Sequence, residues 1–371
     1  MSMMLSPTQL VRTGWCSPTR LVARRLMNQP SQAAGIDHQD RDYAGLFPLL
    51  TLRATGLRLF RQAANEARRL ALLLFVTFTV CADVSVSRAD EPIRHSFFVA
   101  GPNFTGIIGE DGSEGWNSGR PGARDGWVLE NGNLLIAWGD EVKEFTRSKE
   151  VVFQYRLSAS NKEIGTVEPL AEGRRLITEL GPQPRLLEVD RTGKVLVEVP
   201  LQPETDNAHM QTRMARKLAN GNYLVPHLLA FQVKEYSPEG KVVRVWKTDR
   251  EEFGGRPAEN WPFTAIRLDN GNTLVSLTHG NRVAEFGPDG NVTWTVAQAD
   301  LPEHPFDDAC GCQRLPNGNT VISAYHASKG IKLFEVNRNK QLVWKFEGPQ
   351  RVHHFQILTT NGTPLPGRPL R

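Results

Sequence analysis

The sequence predicts an all-β protein: a six-bladed β-propeller of four-stranded antiparallel blades, its last blade closed by both chain termini. Three observations predict it. A glycine turn flanked by apolar, alternating residues recurs six times, and the residues before its glycine are 131, 172, 220, 270, 317 and 361. The steps between copies are 41, 48, 50, 47 and 44 residues. Self-similarity at that period, with four short strands per unit, is the pattern of propeller blades. The segments between turns are short, alternating or apolar, and rich in β-branched residues, as buried sheet faces prefer. Finally, the last copy supplies one strand and part of a second, and the chain after residue 90 supplies what is missing.

The front of the chain stands apart from this repeat. Of 371 residues with a formal charge of +4, residues 1–89 hold eleven Arg and no Lys against five acidic residues, which is +6 and leaves −2 for the rest. A near-neutral body has no basic stripe for nucleic acid. Residues 70–82 form a thirteen-residue, mostly apolar run after Arg68-Arg69 and before Ser87-Arg88-Ala89. A basic flank, a short apolar core and small residues at −3 and −1 make a signal peptide, and the run is shorter than the ~20 residues of a membrane span. Residues 57–89 are therefore expected to be a signal peptide, cleaved after Ala89 with Ala82 second, and the protein to be exported to the periplasm or outside the cell. Val80 before Cys81 is bulky for a lipoprotein site. Residues 1–56 read as a non-native or disordered extension, and residues 90–371 as the propeller.

Within the repeat, Arg314-Leu315-Pro316-Asn317-Gly318-Asn319-Thr320 has close relatives at 129–134, 218–223 and 268–273. A degenerate copy is Leu170-Ala171-Glu172-Gly173, and Asn361-Gly362 is the last. Asn-Gly between two strands predicts a type I′ turn, in which both central residues take φ > 0. In each unit a first strand ends at this turn and a second leaves it. A third and a fourth are joined by turns such as Gly287-Pro288-Asp289-Gly290, and the fourth carries an aromatic such as Trp294. The weak helical period over 210–218 yields to the repeat. Residues 96–100, 105–108 and 110–116 complete the blade begun at 355–358. That closure removes the open edges that invite aggregation.

The recurring Leu-x-Asn-Gly-Asn-x-Leu/Val and the Asp-Gly-x-x-x-Trp ending at Trp116 and Trp294 resemble secreted bacterial propellers of the quinoprotein-like class, with PQQ-like repeats, and in particular the arylsulfotransferase-like branch. The likeness spans the whole expected mature chain. It implies the propeller fold and, for that branch, a channel His as nucleophile with Arg as oxyanion clamp. His354 or His209, with Arg213 and Arg124, would take those roles.

Propeller geometry sets the Asn-Gly and Asp-Gly turns on one face. The longer connections, 116–125, 201–211, 248–263, 298–311 and 348–354, fall on the other, where function gathers on a rigid scaffold. Seven of nine His map to that long-loop face. Counting back seven from each turn places Arg124, Gly165, Arg213, Phe263, Cys310 and His354 around the channel. Arg124, His227, Trp261, His279, Asp307, Asp308, His326 and His353 are the expected ligand-binding residues. Basic, His and thiol groups suit an anion or a metal, and a water-filled polar lining is the plain alternative.

Cys310 and Cys312 are the only cysteines after residue 89. In an exported protein the pair suggests a disulfide, and the i, i+2 spacing makes it strained and reducible. Two small buried thiols are the alternative. Asp307 and Asp308, with Glu303, could offer oxygens to Ca²⁺, but their spacing matches no defined calcium loop, so no cofactor, calcium or quinone, is assigned. No phosphate-binding loop, GxSxG or HExxH occurs. The expectation is an exported, monomeric binding propeller whose long-loop face takes a small anion, glycan or protein. An arylsulfotransferase-like enzyme and a quinone- or thiol-based redox protein are the alternatives.

Overall fold

The computed structural model describes residues 91–371, so the expected extension (1–56) and signal peptide (57–89) lie outside the described residues. Six antiparallel sheets ring a central channel. Blade 1 comprises Asp125–Val128, Leu134–Ala137, Glu141–Phe145 and Val151–Arg156; blade 2 comprises Glu163–Pro169, Arg175–Leu180, Arg185–Val189 and Val195–Pro200. Blade 3 comprises Arg216–Lys217, Tyr223–His227, Gln232–Tyr236 and Val242–Lys247; blade 4 comprises Pro262–Arg267, Thr273–Leu277, Arg282–Phe286 and Val292–Ala297. Blade 5 comprises Ala309–Arg314, Thr320–Ala324, Leu333–Val336 and Leu342–Phe346. In blade 6, C-terminal His354–Thr360 pairs with N-terminal His95–Ala100, followed by Thr105–Ile108 and Glu114–Asn117. The ring is thus clasped by both ends of the described chain, as the repeat count implies.

One element was not anticipated. Thr363–Pro364 pairs with the start-of-blade strand His354–Thr360 on the side away from His95–Ala100. The chain then turns into the channel. Leu370 bonds Arg314 through its main-chain oxygen, and Arg371 is buried.

The cores lie between blades. Leu274, Val283 and Val296 of blade 4 pack on Ile322, Phe334 and Val336 of blade 5, and Phe97, Ile108 and Phe355 of blade 6 meet Val321 and Leu333 of blade 5. Each such side chain contributes about 1.5–3 kcal/mol on burial. The fourth-strand tryptophans lock neighbours together. The indole N–H groups of Trp116, Trp246 and Trp294 donate to the main-chain oxygens of Arg147, Gly287 and Arg338, each on the next blade's outer turn.

The turn type differs from expectation. In the four Leu-x-Asn-Gly-Asn copies only the glycine has positive φ, as at Gly132 (83°) and Gly318 (87°). Gly132 N–H donates to the Leu129 oxygen and Leu129 N–H to the Asn133 oxygen. This is a type I turn closed by a left-handed bulge residue, the three-residue hairpin loop. Both central residues have positive φ only in the degenerate copy, Glu172-Gly173 (61° and 71°), and in Asn361-Gly362 (48° and 78°). Asn131 caps the bulge, accepting from Asn133 N–H at 3.0 Å; with this local partner the type I geometry wins.

The second Asn of each motif has a further role. Asn133, Asn222, Asn272 and Asn319 donate from their side-chain amides to Glu144, Glu235, Glu285 and Glu335 in the third strands, at 2.7–2.8 Å. Each glutamate also takes a cation or imidazole from the next blade: Arg175 (2.5 Å), Arg267 (3.1 Å), Arg314 (2.9 Å) and His95 (2.8 Å) respectively. Glu188 does the same with Lys217. A ladder of buried carboxylates therefore joins five blade junctions near the turn face.

Candidate functional site

At the long-loop end of the channel, Met214, Leu228, Phe263 and Cys310 form an apolar floor, with Met210, Trp261 and Tyr325 packed on it and partly exposed. These residues begin first strands, sit in the loops that feed them or, as Leu228 and Tyr325 do, directly follow second strands, so the rigid ring fixes their positions. Phe263 and Cys310 are where counting back from the turns places them. Arg213 stacks 5.8 Å from the Phe263 ring.

Polar groups rim this floor in two sets. In the first, Asp308 accepts His326 Nδ1 at 2.6 Å and lies 3.4 Å from His279 Nε2. His279 stacks on Trp261 at 4.1 Å, and its Nδ1 is 3.3 Å from Glu259. Tyr325 packs on His326 at 4.7 Å and on His353 at 5.0 Å, under Arg351. Burial raises the Asp308 carboxyl against the pull of both imidazoles. Asp308 also holds φ of 59°, a left-handed conformation uncommon outside glycine. The second set is Glu163 with Arg124 (2.6 Å), His209 (3.5 Å) and Arg213 (3.6 Å). Burial opposes ionisation of Glu163, but His209 and the two arginines outweigh it and lower its carboxyl. Burial brings the Arg213 guanidinium down to about 10.

Of the anticipated residues, the structure brings Trp261, His279, Asp308, His326 and His353 together, and separately Arg124, His209 and Arg213. His353 is partly buried, its Nδ1 donates to the Arg124 main-chain oxygen (3.0 Å), and burial lowers it to about 3. His227 is fully buried in blade 3 against the Tyr236 hydroxyl (2.9 Å) and is likewise lowered to about 3 by burial; it faces no ligand space. Asp307 gives its main-chain oxygen to His326 N–H. Glu303 turns away to Lys345 (2.6 Å), so the three acids gather no common oxygen cage. Among the described residues no group of three or more His, Cys, Asp or Glu is disposed to hold a metal.

His354 sits deeper than a reactive channel histidine would. It is fully buried, with Nδ1 against Arg371 and 3.1 Å from Asp125. Burial and Arg371 lower it to about 3. Buried Asp125 also takes Arg216 (3.2 Å), Arg371 (2.7 Å) and the Thr166 hydroxyl (2.7 Å). Burial opposes its charge, yet Arg216, His354 and Arg371 hold its carboxyl well below the usual range. This ion cluster ties the first strands of blades 1, 3 and 6 to Arg371. It was missed in the sequence because Arg371 lies outside every repeat.

The cysteines are not bridged. Both are free and buried. A register shift between Ala309 and Cys312 breaks the i, i+2 equivalence. Cys310 enters the long-loop floor, while Cys312 enters the core between blades 4 and 5. Burial raises the Cys310 thiol and pushes Cys312 up to about 12, the reverse of what a reactive thiol needs.

Fold and site together define the class: a six-bladed β-propeller with aromatic and polar side chains gathered at its long-loop end. The chain belongs to the Mal s 1 allergenic protein-like family, whose model matches residues 102–315. A protein of unknown function from Bacteroides caccae shares the fold, with a TM-score of 0.60 at 21% identity over 71% of this chain and 98% of that one. Virginiamycin B lyase from Staphylococcus aureus is similar at a TM-score of 0.46 and 12% identity over 63% of this chain and 73% of that one. No curated protein matches the chain. The likeness to quinoprotein-like propellers is therefore carried as far as the fold.

Proposed function

We infer that this is an exported binding propeller that takes a small glycan on its long-loop face. The observation that supports this reading is the meeting of half-buried aromatic rings, Trp261 and Tyr325, with the Asp308–His279–His326 cluster over an apolar floor. Recessed apolar sites with a few convergent polar groups are the default ligand sites of folded proteins. Aromatic faces pack on the C–H faces of a sugar, and a carboxylate with two imidazoles answers its hydroxyls. A free anion fits this end less well, because Glu163 already neutralises Arg124 and Arg213. The arylsulfotransferase-like alternative draws no support from His354, which lies between Asp125 and Arg371. The thiol-redox alternative draws none from two separately buried thiols.

The test is a glycan array probed with the purified secreted protein, whose N-terminal sequencing should start near Asp90. Saturable binding is expected, weakened about tenfold or more in Trp261→Ala and Asp308→Asn, as loss of an aromatic anchor or of a charged hydrogen-bond partner entails. No retained glycan, or equal retention by both variants, would overturn the binding reading. A mature start well before residue 80 would overturn export.

A further inference from the structure

The opposite end of the channel, where the tight turns gather, carries a second feature. A cavity of about 980 Å³ opens there between the first strands of blades 3, 4 and 5 and the segment 365–371. Six cations line it: Arg216, Lys217, Arg267, Arg314, Arg368 and Arg371. The lining side-chain carboxylates are two, Glu168 and Asp269, and Arg216 Nε donates to the Arg371 main-chain oxygen at 2.8 Å. Glu168 is taken by Arg368, and Lys217 reaches back to Glu188. Arg267 and Arg314 are tied from behind to Glu235 and Glu285, and Arg216 and Arg371 to Asp125, none of which lines the cavity.

Those pairings fix the guanidinium groups but do not exhaust them. Nη2 of Arg216 and Nε of Arg267, Arg314 and Arg371 are buried without a hydrogen-bond partner. The side chains of Arg216 and Arg371 are only 6% and 0% exposed. Their cations lie 5.1 and 4.1 Å from the Trp127 ring, and those of Arg267 and Arg314 lie 5.1 and 5.6 Å from Trp246 and Trp294. A ring face attracts a cation but offers no lone pair to an N–H. Buried N–H groups in native proteins find acceptors, and four arginines that keep a donor unused leave positive charge unanswered around one cavity.

We propose that this turn-face cavity is a binding site for a small molecule carrying an oxyanion, phosphate or carboxylate, held by the accessible side chains of Arg267, Arg314 and Arg368, with buried Arg216 and Arg371 adding charge from behind. The guanidinium fork matches both oxyanions, and a charge-assisted bond from a preorganised fork is the strong kind. The volume suits a ligand of metabolite size. The site is separate from the long-loop mouth: no residue that lines it belongs to the Asp308 or Glu163 sets or to the apolar floor.

The experiment is calorimetric titration of the full secreted chain with inorganic phosphate and, separately, with citrate at fixed ionic strength. At least one probe should bind saturably at a single site and more weakly as salt rises. Arg267→Gln and Arg314→Gln should each reduce affinity about tenfold or more. Arg368→Gln, at a side chain 56% exposed, leaves the blade-junction pairs intact and should reduce it several-fold; it keeps the test valid if the other two fail to fold. Absence of saturable binding with both probes, or unchanged affinity in every variant that folds, would overturn the site.

Discussion

Cys310 and Cys312 show how far a residue-level reading reaches. Their spacing is visible in the sequence, and so is the consequence that they share a face on a regular strand. The slip between Ala309 and Cys312 is not visible, because it answers to the partner strand Thr320–Ala324 and not to the local sequence. It sends the thiols into different cores. The intact mass of the folded protein should therefore not rise by two hydrogens on reduction. A thiol-specific alkylating reagent should label neither cysteine until denaturant unfolds the chain, because burial holds both thiols protonated. A mass gain on reduction, or rapid native labelling, would restore the disulfide or redox reading. The Asn-Gly turns teach the same lesson: the pair marks the hairpin correctly, but capping by Asn131 and its equivalents selects a type I turn with a bulge instead of type I′.

At the scale of the strand and its junction, the unread signal was a glutamate before an apolar or aromatic residue in the third strands of blades 1 to 5: Glu144-Phe145, Glu188-Val189, Glu235-Tyr236, Glu285-Phe286 and Glu335-Val336. Alternation alone assigns such a glutamate to a solvated face. Its true position is buried, because a turn residue (the second Asn, or Arg174 at Glu188) and a cation or imidazole from the next blade meet it there. The pattern could have been found by aligning the repeats on their third strands; the cationic partners could not, since they depend on which blades adjoin. Glu285 is the fullest case, held by Asn272 (2.8 Å), Arg314 (2.9 Å) and Arg338 (2.6 Å) at 2% side-chain exposure. Glu285→Ala leaves buried Arg314 without its counter-charge and is expected to destabilise by about 3–5 kcal/mol. Glu198→Ala removes the half-exposed partner of Arg185 and should change stability by about 0–1 kcal/mol. Chemical denaturation of the two variants beside the parent checks the contrast. Equal, small effects would mean that the ladder is ornament to a ring held by apolar packing alone.

For the whole molecule, the period of the turns and the split last blade were enough to give the ring, because a propeller writes its architecture into repeated local chemistry. The candidate long-loop residues were legible for the same reason: equal offsets from equivalent turns meet at one end of the channel. Arg371, His354 and Asp125 were not, because a buried ion cluster joins a tail to distant blades and has no period. The ring also buries His227 and His354 fully and His353 in large part, and burial lowers each to about 3, against about 6.5 in an unfolded chain. Between those values the unfolded chain takes up protons that the folded ring refuses, so stability falls as pH falls. Each imidazole contributes a slope of up to about 1.4 kcal/mol per pH unit within that window. Glu179, lowered to about 2 because Ser158, Asn161 and Tyr155 outweigh the effect of burial, adds its own loss only below the ordinary carboxylate range. Glu179 is therefore silent from pH 6.5 to 5, where the histidines act against the Asp308 and Glu168 carboxyls, which burial raises and which work in the opposite sense. Denaturation midpoints should be level above pH 7.5 and drop steadily through that interval. His227→Gln, which keeps a neutral side chain beside Tyr236, should lessen the slope by about one proton's worth. A flat midpoint from pH 7.5 to 5, or an unchanged slope in the variant, would show that these imidazoles reach water and that the ring is more open than its packing indicates.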